Sequence, residues 1–193
     1  YEKIYGATSE ITSDGNFVTI RTNGMPDHKS PYYPTTNLLY EPYSGTTFGG
    51  GNFNQNPNII AEQNFTFRIP LNPTASSNNV ATALGAIGVG INGVPLFNQY
   101  AGPNNQPLTN EINSFDKYYG HPTGSFIYHY HVEPLYLTTV TSSISGLLGF
   151  LLDEPIINVI EIVLSTLIPK SEVIVLSCSQ ALWALPKSVF VIR

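Results

Sequence analysis

Alternation of apolar and polar residues dominates the first half of the chain, and it predicts strands. Phe17-Val18-Thr19-Ile20-Arg21-Thr22 alternates and is rich in β-branched residues, the period of a half-buried strand. Asp14-Gly15 before it is a turn dipeptide, so residues 11–23 read as a hairpin or a turn into a strand, closed by Asn23-Gly24. Residues 64–70 alternate cleanly and predict a second strand with Phe65, Phe67 and Ile69 inward, followed by a turn at 71–73. In residues 84–97, Gly85, Gly88 and Gly90 interleave with Ala86, Ile87, Val89 and Ile91, and Asn92-Gly93 is a hairpin signal. Residues 94–97 form the returning strand, and Pro95, which has no N–H for a ladder, places it at a sheet edge. The glycines do not make a phosphate loop, because Asn-Gly and Pro follow where a helix would be needed.

Between these runs the period disappears. Residues 29–58 are dense in Pro, Tyr, Gly and Asn, with Gly49-Gly50-Gly51 in the middle. They read as a long irregular loop packed over something by its aromatics. Residues 98–113 are a second polar loop, 135–141 a strand or an exit loop, and 142–152 a strand or short helix. Beyond residue 152 the composition breaks: all 16 glycines and all 12 tyrosines precede it, and the remainder is rich in Ile, Val and Leu. Its apolar runs, 156–168 and 173–185, are interrupted or ended by Glu161, Pro169 and Pro186, too short for a membrane span. The expected architecture is mainly β: a single antiparallel sandwich- or barrel-like domain over 1–152 with long Gly/Pro/Asn/Tyr-rich loops. Residues 153–193 are an apolar tail and not a separate domain.

Charge narrows the partners. The net charge is −5 and the eight Lys and Arg residues are scattered singly, which excludes a phosphate-tracking nucleic-acid surface. One cysteine, Cys178, rules out an intrachain disulfide and sits in an apolar run as a small hydrophobe. The chain opens at Tyr1, as expected of a fragment or of a protein whose leader has been removed. A Lys-poor, Asn/Thr/Tyr/Gly-rich composition points to a secreted or extracytoplasmic location, and Asn64-Phe65-Thr66 is a formal glycosylation sequon.

The chemistry concentrates in residues 115–134, which hold His121, His129 and His131 of the chain's four histidines. If 128–131 is a strand, His129 and His131 share one face about 7 Å apart at Cα, and Tyr128 and Tyr130 share the other. Two imidazoles at that spacing can converge on one transition-metal ion. His121 is the nearest third ligand, returned by a turn at Pro122-Thr123-Gly124. Asp116 could ligate or orient a ring, and His28, preceded by Asp27, is a more distant ligand that would close an otherwise open site. A serine triad at Ser125 lacks the strand-turn-helix elbow, and Asp116 with Glu133 makes a weak glycosidase pair.

Several motifs in order resemble the YHYH domain family. They are residues 23–28, residues 87–97 with Asn92-Gly93, Phe115-Asp116, Gly120-His121-Pro122, Gly124, the tetrapeptide Tyr128-His129-Tyr130-His131, and Pro134. The resemblance fades over 148–153, where Glu154-Pro155 replaces the family's glycine-containing continuation. The fading coincides with the composition break, which suggests a truncated or frame-shifted domain end. The resemblance implies an exported protein with a shared histidine-centred site, and no particular activity. The first expectation is a domain binding one transition-metal ion, copper or zinc, through His121, His129, His131 and His28, supported by Asp27 and Asp116. The alternatives are a non-enzymatic module binding carbohydrate or another surface through its tyrosines and asparagines, and a metal-assisted hydrolase or oxidase. No general base stands out for the last.

Overall fold

The computed structural model describes residues 4–5, 9–72, 83–141 and 149–151. The tail from 153, the composition break and Cys178 lie outside the described residues. The described residues are mainly strands. β1 (Glu10–Ser13), β2 (Phe17–Thr22) and β3 (Phe65–Pro70) form an antiparallel sheet in that order. The expected turn between the first two is built by Asp14, whose Oδ1 accepts the N–H groups of Asn16 and Phe17, with Gly15 at φ +87°.

A second, five-stranded sheet has the order β10-β4-β5-β9-β8, where β4 is Ala86–Gly90, β5 Pro95–Phe97, β8 Gly120–Pro122, β9 Tyr128–Tyr130 and β10 Gly149–Leu151. Its pairs are antiparallel except β5 with β9, which run parallel through Leu96 and Tyr130. Two expectations are corrected here. The sheet is mixed and not purely antiparallel. β5 is central and not an edge, despite Pro95. The proline is tolerated because the parallel pairing uses a single register position, Leu96, and asks nothing of the missing N–H. The 98–113 loop holds a short hairpin, β6 (Tyr100–Ala101) with β7 (Gln106–Pro107), and then a 3₁₀ turn at Glu111–Ser114.

Residues 135–141 are a helix, α1 (Leu135–Thr141), and not a strand. Its β-branched composition suggested extended chain, but Pro134 starts the helix. The Pro134 carbonyl receives the Thr138 N–H, and the Thr138 and Thr139 hydroxyls bond back to the Pro134 and Leu135 carbonyls. Leu137 is then fully buried and lies where a side chain on Gly90 would meet it. Among the described residues no helix is long and apolar enough to cross a membrane.

One core cluster joins the two larger sheets. Val18, Ile20, Phe67 and Ile69 of the first pack with Val89, Leu96, Tyr128 and Tyr130 of the second. The 29–58 segment forms no named strand but is packed, with Tyr32 and Tyr33 buried in that cluster. Asn92-Gly93 makes the expected hairpin turn: Gly93 has φ +82°, and a Cβ there would stand 2.5 Å from Thr22 Oγ1. Gly93→Ala is therefore expected to cost about 1–3 kcal/mol, from left-handed backbone strain together with this clash. Urea unfolding measures it, and an unchanged midpoint would contradict the assignment.

Candidate metal centre

The β8–β9 hairpin builds the site. Its antiparallel register sets His121 directly opposite His129. The two-residue period places His131, one step past the strand, on the same face as His129. The three rings are buried, at 3 %, 2 % and 8 % exposure. Their Nε2 atoms converge: His121 to His129 is 3.1 Å and His129 to His131 is 2.9 Å. The three together form a group able to hold a metal ion. Aromatic rings wall them in, Phe97 stacked on His129 at 4.0 Å and Phe115 on His131 at 5.8 Å.

The Nδ1 atoms settle the tautomers. His129 Nδ1 faces the Ile127 carbonyl at 3.1 Å, and His131 Nδ1 faces the Asn98 carbonyl at 2.5 Å. A carbonyl only accepts, so both Nδ1 atoms carry hydrogen. His121 Nδ1 lies 2.7 Å from Ser114 Oγ, whose own hydrogen goes to the Glu111 carbonyl, so the hydroxyl accepts from this ring too. In the neutral rings every Nε2 is then a bare lone pair. Burial holds the rings neutral. It pushes His121 down to about 3, with His131's charge adding, and His131 down to about 4. It holds His129 well below the usual range, reinforced by the other two rings.

Glu111 is the residue that sequence reading did not single out. Its carboxylate Oε2 stands 3.6 Å from His121 Nε2, and its side chain is 37 % exposed. Because His121 is neutral, the contact is not an ion pair. Burial raises the Glu111 carboxyl. Glu111 opens a single 3₁₀ turn in a polar loop, and four residues are too few to leave a periodic signal.

The remaining expected residues lie on the other face of β9. His28 is buried, with Nδ1 on the Lys29 carbonyl at 3.0 Å and Nε2 on Tyr130 Oη at 2.9 Å. Both ring nitrogens are engaged there, so His28 does not join the triad. Asn92 Nδ2 donates to Asp27 Oδ1 and to Tyr130 Oη, and the Tyr5 and Tyr136 hydroxyls bond Asp27. Asp116 touches no histidine. It is fully buried and accepts from Ser30 Oγ at 2.6 Å, Tyr128 Oη at 2.9 Å, and the N–H groups of Tyr118 and Gly120. Burial raises its carboxyl to about 6, against the four hydrogen bonds, which lower it. Gly120 is what lets Tyr128 reach it, since a Cβ there would lie 2.4 Å from the Tyr128 hydroxyl. The orienting groups of the triad are thus Ser114 and the carbonyls of Ile127 and Asn98. Asp27 and Asp116 instead anchor the tyrosine face.

Burial depresses His28 to about 4 from an ordinary 6.5. The unfolded chain therefore binds its proton first, and the stability from keeping His28 neutral is present above pH 6.5 and lost as pH falls through 4. The loss is on the order of 3 kcal/mol. In chelator-treated protein, His28→Gln is expected to flatten part of the acid limb of stability against pH between 6.5 and 4. A slope equal to that of the parent protein would count against this account.

Residues 66–160 match the model of a family described as YHYH protein. No curated protein and no solved structure matches the chain. The matched stretch takes in Asn92, Gly93, the β8–β9 hairpin with its three histidines, and Glu111. It runs past Asp153, where the resemblance was expected to end, and excludes the Asp27-His28 pair. The segment that carries the five-stranded sheet and the histidine centre is therefore the part of the chain that matches the YHYH family.

Proposed function

We propose that this is an extracytoplasmic metal-binding domain whose centre is His121, His129 and His131, with zinc or copper as the ion. One observation carries the reading. His129 and His131 both give their Nδ1 hydrogens to carbonyls, so two unprotonated Nε2 atoms face each other at 2.9 Å in a buried site. Two lone pairs at that distance repel. A proton between them would need an imidazolium, which burial disfavours. A cation resolves the conflict. Two ligands about 2.0–2.1 Å from one tetrahedral ion stand about 3.3 Å apart, close to the spacings of the nitrogens.

The carbonyl and hydroxyl partners at the three Nδ1 atoms have the usual role of groups behind metal-bound imidazoles: they fix the tautomer and aim the ring. All-imidazole ligation suits zinc and copper. Elemental analysis of protein purified without a histidine tag tests this, with about one zinc or copper ion per chain as the expected result. Protein that stays metal-free after dialysis against each ion would overturn it.

A further inference from the structure

The three nitrogens leave a fourth position to be filled, and a carboxylate stands at its edge. The Glu111 carboxylate reaches to 3.6 Å from His121 Nε2, which is itself a lone pair. Without a cation, an anionic oxygen would face an electron-rich nitrogen. The four groups also differ in access: the imidazoles are 8 % exposed or less, whereas the Glu111 side chain is 37 % exposed. Ser114 couples the two sides. Its hydroxyl receives the His121 Nδ1–H and donates to the Glu111 carbonyl, so one 3₁₀ turn positions both the ring and the carboxylate.

We propose that Glu111 is the fourth protein ligand, closing a three-nitrogen, one-oxygen site around a divalent ion at its solvent side. This rests on the three-histidine reading above. A carboxylate oxygen is a hard anionic donor, which favours Zn²⁺ or Cu²⁺ over Cu⁺. Four protein ligands also make a closed site of the structural type and not one with an open catalytic position. As the most exposed of the four, Glu111 is the ligand that detaches when the ion enters or leaves.

Co²⁺ titrated into the full chain, with visible absorption and chelator competition, tests the proposal. The parent protein is expected to give the intense bands of four-coordinate Co²⁺, and these should not move when azide is added. Glu111→Ala should weaken Co²⁺ and Zn²⁺ binding at least tenfold and make the bands respond to azide, because a position has been opened. Glu111→Gln, which keeps the size but not the charge, should weaken binding as well. Bands and affinity equal to those of the parent in both variants would overturn the Glu111 assignment while leaving the three histidines in place. So would azide-responsive bands in the parent protein. Failure of the parent protein to bind Co²⁺ or Zn²⁺ would instead remove the three-histidine reading and this one with it. Thermal unfolding of the metal-free variants separates loss of a ligand from loss of the fold.

Discussion

His129→Ala is expected to abolish metal binding, lowering affinity by about a hundredfold or more. His129 is the middle donor, with its Nε2 3.1 Å from that of His121 and 2.9 Å from that of His131. Removing it takes away the donor that lies next to both of the others and leaves two imidazoles, whose ligand atoms are within 4.8 Å of each other, to hold the ion. Loss of a group that merely orients a ligand typically costs 10- to 100-fold, so loss of the central ligand costs at least the upper end. The readout is metal content of untagged protein after equilibration with Zn²⁺, together with competition against a chelator. Parent-level stoichiometry in the variant would sink the assignment. Ser114→Ala provides a graded companion, since it removes only the oxygen that holds His121 Nδ1.

Asp116→Ala is expected to be the most destabilising single change among the residues packed on the opposite face of β9. The carboxylate is fully buried and satisfies two hydroxyls and two backbone N–H groups. Alanine strands all four donors in the interior, where each costs about 1–3 kcal/mol and partial rearrangement recovers some of it. The net loss should be about 3–5 kcal/mol. Asp116→Asn keeps the shape and one acceptor oxygen and should lose less. Equilibrium urea unfolding orders the two. A loss below about 1 kcal/mol in the alanine variant would show that the network does not hold the 29–58 segment to the sheet, because such losses are ordinary for surface positions.

The parts of the site that could be read from the sequence follow from the strand period alone. His129 and His131 two apart, Tyr128 and Tyr130 between them, and a turn returning His121 need no tertiary information. The hairpin β8–β9 delivers them as expected. Elsewhere the deciding contacts are distant in the chain or belong to the backbone. The carbonyls of Asn98 and Ile127 that set the tautomers have no residue signature, because every residue carries one. Asp27-His28 looked like an approaching ligand pair. The two faces of β9 separate it from the three-histidine side, and Tyr130 takes the imidazole instead. In the same way Tyr128 and Tyr130 do more than pack, since their hydroxyls tie Asp116, Asn92 and His28 into the core. The helix at 135–141 and the central position of β5 are tertiary outcomes. Pro134 and the pocket for Leu137 outweigh β-branched propensity in the first. A single parallel contact tolerates proline in the second.

That parallel contact between β5 and β9 also predicts an order of events in folding. The hairpin β4–β5 closes through Asn92-Gly93 and the hairpin β8–β9 through 123–127, both local in sequence. Their union through Leu96 and Tyr130 is long-range and so slower. It also brings the Asn98 carbonyl onto His131. The orienting carbonyl for the last histidine is therefore missing until the two hairpins have docked. An ion that binds only this finished arrangement acts on the docked state, holding the hairpins together against unfolding while leaving their initial closure unchanged.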